Sequence, residues 1–213
     1  MNTGLQDAHN LALLLADVAQ GRLDEGSLDR YERERRPVAE LLVKVTDRAF
    51  GIIGRRSLAA LFLRNRGSGL GAAVLPRIAR SRLGARLGAR LGGYLGQYRI
   101  RYRYLDGKAP VPEWANDPAV GLRLPPADGN HEPLRSMTWQ MHTYGAAEII
   151  RPGLPAWIDG PYDFRADPRA RLRPDRLYLI RPDGFIAASV PVRDHVADEA
   201  QLRLVMTAHQ LIS

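Results

Sequence analysis

The sequence contains no cysteine. Disulfides, thiolate metal sites, cysteine nucleophiles and thiol redox chemistry are therefore excluded. Lysine is almost missing, with only Lys44 and Lys108 among abundant arginine, alanine and glycine. No apolar run approaches the roughly 20 residues that cross a bilayer. The run Leu11–Ala16 is too short for a secretory signal and is flanked by Asp7 and Asp17. A cytoplasmic protein without a membrane span is the default expectation. Acidic residues are absent between Asp47 and Asp106. That interval holds 13 arginines, so of the net charge of +8 the remainder sums to −5. A basic block of this kind can meet nucleic acid, an anionic membrane or an acidic partner. With arginine standing for lysine throughout, the simpler reading is compositional, and nucleic acid is not the expected partner.

What is present suffices for a core. The 213 residues are 45% hydrophobic, enough for one large domain or two small ones. Apolar spacing places a first helix at about Leu5–Gln20. Thr3 and Gln6 fit a capping box, Leu11, Leu14, Leu15 and Val18 form the apolar stripe, and Gly21 is the stop. A second helix begins near Ser27, with Asp29 in its first turn. Pro37 is expected to kink or divide it, and Leu41, Leu42, Val45 and Phe50 continue an apolar face. Residues 55–98 read as an interrupted helical region. There Leu83, Leu87, Leu91 and Leu95 recur every four residues beside Gly84, Gly88, Gly92 and Gly96. Each such glycine costs about 1 kcal/mol of helix propensity, so this stripe is expected to pack on a neighbouring backbone.

The period then changes to two. Tyr98, Ile100, Tyr102 and Tyr104 alternate with arginines, the pattern of a half-buried strand. A proline-rich loop follows, and the domain boundary is placed near residue 105. Beyond it, "SMTWQMHTY" reads as a strand. "RLYLIRPDGFIAAS" reads as two strands joined through Pro182, Asp183 and Gly184. "DHVADEAQLRLVMTAHQLIS" reads as a closing helix capped by Asp194, with Val196, Ala200, Leu204 and Leu211 on its buried side. Helical residues 1–105 followed by a strand–hairpin–helix module over 106–213 make the chain α/β overall.

Candidate chemistry is sparse. "GSGLGA" (Gly67, Gly69, Ala72) matches a dinucleotide fingerprint in form. It lacks the preceding strand and the acidic residue some 20 positions on that the fingerprint requires. His9, His131, His142, His195 and His209 show no metal-ligand spacing, so no metal is expected, and no G-x-S-x-G elbow is present. Asp194–His195 is read as cap chemistry, and His9 as a surface or interface residue. Tyrosine–arginine alternation can stack bases, but on a half-buried strand the two residue types simply face opposite sides. The opening "MNTGLQDAHNLA" enters a helix at once, and free N–H groups at such a start suit an anion.

Those residues carry a resemblance. Met1–Ala12 resembles the last FAD motif of the class A flavoprotein monooxygenases, the para-hydroxybenzoate and phenol hydroxylase family. "LDRYERERRPVA" (Leu28–Ala39) and "TDRAF" (Thr46–Phe50) are similar to that family's next helix. "LYLIRPDGFIAA" (Leu177–Ala188) is similar to the strand–turn–strand of its thioredoxin-like C-terminal domain, here without C-x-x-C. The resemblance implies a helical tail of the FAD domain over 1–105 and a thioredoxin-like α/β domain over 106–213. It implies FAD as cofactor, held here only in part. The backbone at Met1 and Asn2 would lie at the flavin's pyrimidine edge, Thr3 and Gly4 would shape the turn, and Asp7 and Asn10 would support the helix. NAD(P)H is the co-substrate of full-length relatives, and one oxygen atom of O2 enters an aromatic or polyketide-like substrate. Catalytic residues are not indicated. The strand–G-x-G-x-x-G–helix and the G-D motif of the family are missing from the sequence, so Met1 is expected to be an interior methionine of a longer enzyme. The other readings are a split flavoenzyme, whose N-terminal FAD-binding half is a separate polypeptide, and a non-catalytic basic module using the arginines of 48–105. A homodimer fits the family habit.

Overall fold

A computed structural model describes residues 2–53, 81, 100–105, 110–145 and 149–212. The expected helix stripe of 55–98 and the "GSGLGA" segment lie outside the described residues, as does Met1. The chain divides into two compact units, one joining Met1–Arg35 to Arg101–Ser213 and the other spanning Arg36–Ile100.

Helix α1 spans Asn2–Ala19. It starts earlier than its apolar spacing indicated, so Thr3 lies inside the first turn and not at a cap. Threonine and glycine cost little there, because the first four N–H groups of a helix have no intrahelical partner to lose. The end is as expected. Gly21 has φ +68°, the Arg22 N–H reaches the Asp17 carbonyl at 2.8 Å, and the Gly21 N–H reaches Val18 at 3.0 Å. These two bonds are a Schellman closure, which favours glycine at the left-handed position. A 3-10 turn over Glu25–Leu28, capped by the Asp24 side chain on the Gly26 N–H at 2.8 Å, leads into α2, Asp29–Ile53. The helix is not divided at Pro37. Leu41, expected on its apolar face, is exposed.

The α/β expectation holds. Five strands pair in the order β2-β1-β3-β4-β5, with β1 Gln140–Tyr144, β2 Asp159–Phe164, β3 Arg176–Ile180, β4 Ile186–Arg193 and β5 Val196–Ala197. β1 and β2 are parallel and the other pairings antiparallel. Helix α3, Glu199–His209, follows. The β3–β4 hairpin forms at the predicted turn, where Gly184 has φ +77° and the Arg181 N–H bonds the Phe185 carbonyl at 2.9 Å. β1, β3 and most of β4 are buried on both faces. Trp114, Trp139, Met141, Tyr178, Ile180 and Ile186 form the centre of the core.

Three expectations are corrected. Residues 100–104 form no strand. Tyr102 makes one ladder-like bond, its N–H to the Gly121 carbonyl at 2.8 Å, while the Gly121 N–H is committed to Ile186. The tyrosine–arginine alternation nevertheless survives in burial, with Tyr102 inside and Arg101 and Arg103 exposed. Strand β2 was not legible, because "DGPYDF" is rich in turn formers and only its pairing with β1 makes it a strand. The cap of α3 is Asp198, whose side chain accepts the Gln201 N–H at 3.1 Å. Asp194 and His195 instead take positive φ in the preceding turn. The buried side of α3 is Leu202, Val205 and His209, with Leu211 just beyond, while Val196, Ala200 and Leu204 are exposed.

Candidate functional site

Three motifs that lie far apart in sequence converge on one cluster: Asp7 and Asn10 of α1, the Glu34–Arg35 region of α2 and the Arg181–Gly184 turn. The expected flavin-contacting residues Asn2, Thr3 and Gly4 form the first turn of α1. Thr3 is half-buried and Gly4 exposed. A Cβ added at Gly4 would meet no atom within 4 Å, so a planar ring can approach the backbone there. The turn carries no acidic residue, and a helix start carries partial positive charge that suits an anion.

The buried stripe of α1 is polar. Asp7 accepts from the Arg35 Nε at 2.5 Å. The Asn10 Nδ2 donates to Glu34 at 2.9 Å and to Asp183 at 3.5 Å. Asp17 accepts from the Trp139 indole N–H at 2.8 Å. Leu14 is the buried apolar member, whereas Leu15 is 48% exposed and Leu5 67% exposed. The expected Leu11–Leu14–Leu15–Val18 stripe is therefore rotated, with Leu11 and Val18 only half-buried. Helical spacing located a face, but the charged partners on α2 and the hairpin turn decided which face is inward.

Arg181 is the hub. Its two terminal nitrogens both bond the Glu34 carboxylate, one at 2.9 Å. Its Nε and Nη2 reach Asp183 at 3.1 and 2.8 Å. The guanidinium also lies over the rings of Tyr102 and Tyr104, at 5.2 and 5.8 Å from their centroids. Burial works to raise the Glu34 pKa, but the Arg181 charge and hydrogen bonds outweigh it and hold the carboxyl below its ordinary value. Burial and the neighbouring Arg181 lower Arg30 to about 10. The Arg30 Nη1 lies 3.2 Å from the Nδ1 of His209, whose Nε2 faces the Ala187 carbonyl at 3.1 Å. Nε2 therefore carries the proton, and Nδ1 accepts from Arg30. Burial, then the charges of Arg30 and Arg181, push the His209 pKa well down, so this imidazole is neutral.

His142 is likewise buried and neutral, its pKa lowered to about 3 by burial and, secondarily, by His131. It bridges Gln140 at 2.9 Å and the Tyr144 hydroxyl at 3.2 Å along β1. Neither histidine was placed in the core by the sequence. His9 and His131 are exposed, as is His195. Among the described residues no group of three or more His, Asp or Glu side chains could hold a metal. The acids of the hub are paired with arginine, which makes it a joint between elements and not a general base.

The FAD binding domain family model matches residues 1–46. Over 62 residues, 29% of this chain and 11% of the relative, the sequence is 56% identical to 4-methyl-5-nitrocatechol 5-monooxygenase of a Burkholderia species. It is 32% identical to 6-methylpretetramide 4-monooxygenase of Streptomyces rimosus over 224 aligned positions, 88% of this chain and 38% of the relative. Among solved structures, CabE, an aromatic hydroxylase from angucycline biosynthesis, superposes with TM-score 0.64 at 24% identity, covering 98% of this chain and 40% of that one. The chain thus spans about two fifths of the length of relatives that match it along most of its own. In motif, helix order and sheet, the chain corresponds to the C-terminal part of a class A FAD-dependent monooxygenase.

Proposed function

We propose that this chain supplies the flavin-facing helix start and the C-terminal α/β region of an enzyme that hydroxylates an aromatic or polyketide-like substrate with NAD(P)H and O2. The observation that carries the reading is the first turn of α1, open at Gly4, without an acidic side chain, and inside the segment matched by the FAD binding domain. In this reading the backbone at Met1 and Asn2 holds the pyrimidine edge of the ring, and Thr3 and Gly4 keep the turn narrow. Bound FAD supplies the redox chemistry, accepting a hydride equivalent and delivering one oxygen atom of O2. This chain's residues bind and orient the ring edge. Residues 1–105 form the tail of the FAD domain, and 106–213 form a thioredoxin-like domain.

The ADP half of FAD requires residues this sequence does not contain, so the partner is the nucleotide-binding half of the enzyme, preceding this chain or carried on another. The exposed Leu5 and Leu15 of α1 are apolar surface suited to that contact. A homodimer and a cytoplasmic setting, where NAD(P)H is available, complete the reading. Among the described residues no helix is long and apolar enough to cross a membrane. The alternative of a basic binding module is not favoured, since the relatives named above are monooxygenases or hydroxylases; most of its arginines lie outside the described residues. The test is to join the nucleotide-binding portion of a relative to this chain, in one polypeptide or by co-expression. A yellow complex that oxidises NAD(P)H faster when an aromatic polyketide is added is expected. A folded but colourless complex refutes the proposal.

A further inference from the structure

The Arg181–Gly184 turn does more than join two strands. Arg181 and Asp183 are both buried on side chains belonging to helices far earlier in the chain, Glu34 on α2, 147 residues before Arg181, and Asn10 on α1, 173 residues before Asp183. Asn10 touches both carboxylates with one amide nitrogen, and the guanidinium holds both from the other side. One turn of the sheet thereby reaches both helices: the Arg181 bonds to Glu34 and Asp183 and the Asn10 bond to Glu34 are charge-assisted, the strong class of hydrogen bond, and a longer Asn10–Asp183 contact at 3.5 Å closes the ring. α1 is pinned on the same face at Asp17, seven residues on, by the Trp139 indole at the start of the sheet. A seven-residue separation is about two helical turns, so two points on one face set both the rotation and the tilt of the helix. The hairpin end of this arrangement is rigid. Asp183 also receives the Phe185 N–H at 3.3 Å, and the Gly184 N–H closes on the Arg181 carbonyl at 2.9 Å.

We infer that the Arg181–Asp183 turn is a clamp by which the C-terminal sheet sets the rotation of α1 and so aims its first turn at the flavin, with Arg181, Asp183 and Asn10 as positioning residues. The inference rests on the flavin reading of that first turn. A core built only for stability would fill the whole Asn10–Glu34–Arg181–Asp183 site with apolar side chains, since replacing a buried ion pair or triad by well-packed hydrophobic groups is often neutral or stabilising. Directional bonds instead select one helix rotation, because an amide and two carboxylates must meet in a fixed geometry. Lysine cannot substitute for Arg181, since its compact ammonium does not bridge two carboxylates in the plane of a fork.

The clamp is tested in the flavin-free chain by hydrogen exchange on Asp183→Asn, with Glu34→Gln as the second variant should the first fold poorly. Amides of residues 5–17 are expected to exchange at least tenfold faster, with those of β3 and β4 unchanged, and Arg181→Lys is expected to behave like Asp183→Asn. Equal acceleration in helix and sheet, no acceleration, or full protection in Arg181→Lys overturns the clamp. In the FAD-loaded complex with the nucleotide-binding half, Asp183→Asn is expected to shift the visible flavin band and weaken FAD binding about tenfold. A loosened helix with an unchanged flavin spectrum overturns the positioning role. A wild-type complex that takes up no flavin overturns the flavin reading, while the exchange measurement still decides whether the clamp exists.

Discussion

Lowering the pH should destabilise this fold through His142, by an amount that can be worked out. The side chain is fully buried within β1, its ring against Tyr162 and Phe164, and its pKa is about 3 against the ordinary 6.5. The unfolded chain therefore takes up a proton near pH 6.5 that the folded chain refuses until about pH 3. Because the unfolded state binds more protons across that window, stability falls as pH falls. Each pH unit below the unfolded value costs about 1.4 kcal/mol, so going from pH 7 to pH 5 should remove about 2 kcal/mol through this residue. His209, also buried and neutral, acts in the same direction, so the comparison must be made against His142→Gln. Glutamine can still donate to Gln140 and accept from Tyr144. Urea unfolding at several pH values should show the variant losing about 2 kcal/mol less than wild type between pH 7 and 5. Parallel curves, or an imidazole NMR titration of His142 with a midpoint near 6, would refute the reasoning.

Three further pairs of substitutions separate the residues that decide the fold from their neighbours. Gly121→Ala places a Cβ 2.2 Å from the Tyr102 carbonyl oxygen at φ +80° and should cost about 3 kcal/mol or more. Gly129→Ala, at φ +74° with open space, should cost only about 1 kcal/mol, both read by denaturant unfolding. Asp198→Ala should cost about 1 kcal/mol as the loss of a helix cap, whereas Asp194→Asn should leave the melting temperature unchanged. Leu14→Ala should destabilise by about 2–5 kcal/mol, while Leu15→Ser on the exposed side of α1 should shift stability by no more than about 0.5 kcal/mol.

Where a feature depends on a few adjacent residues, the sequence alone determined it. The Gly21 stop, the hairpin at Pro182–Gly184, the two N-terminal helices and the motif resemblance all rest on local backbone preference or short patterns, which act without distant partners. The inward face of α1 was not of this kind. Leucine spacing pointed to Leu11 and Leu15, yet the helix turned to bury Asn10 and Asp17, because Glu34, Asp183 and Trp139 wait there to pair with them. β2 became a strand only by lying beside β1. His142 meets two residues of its own strand, Gln140 and Tyr144, whereas His209 became a neutral core residue only because its ring nitrogens found partners on α2 and β4. A buried polar group is tolerable only when its hydrogen bonds are supplied, and for Asn10, Asp17 and His209 the suppliers come from elements brought together by folding. Tertiary structure therefore decided which polar residues are inside, and with them how the first helix is aimed.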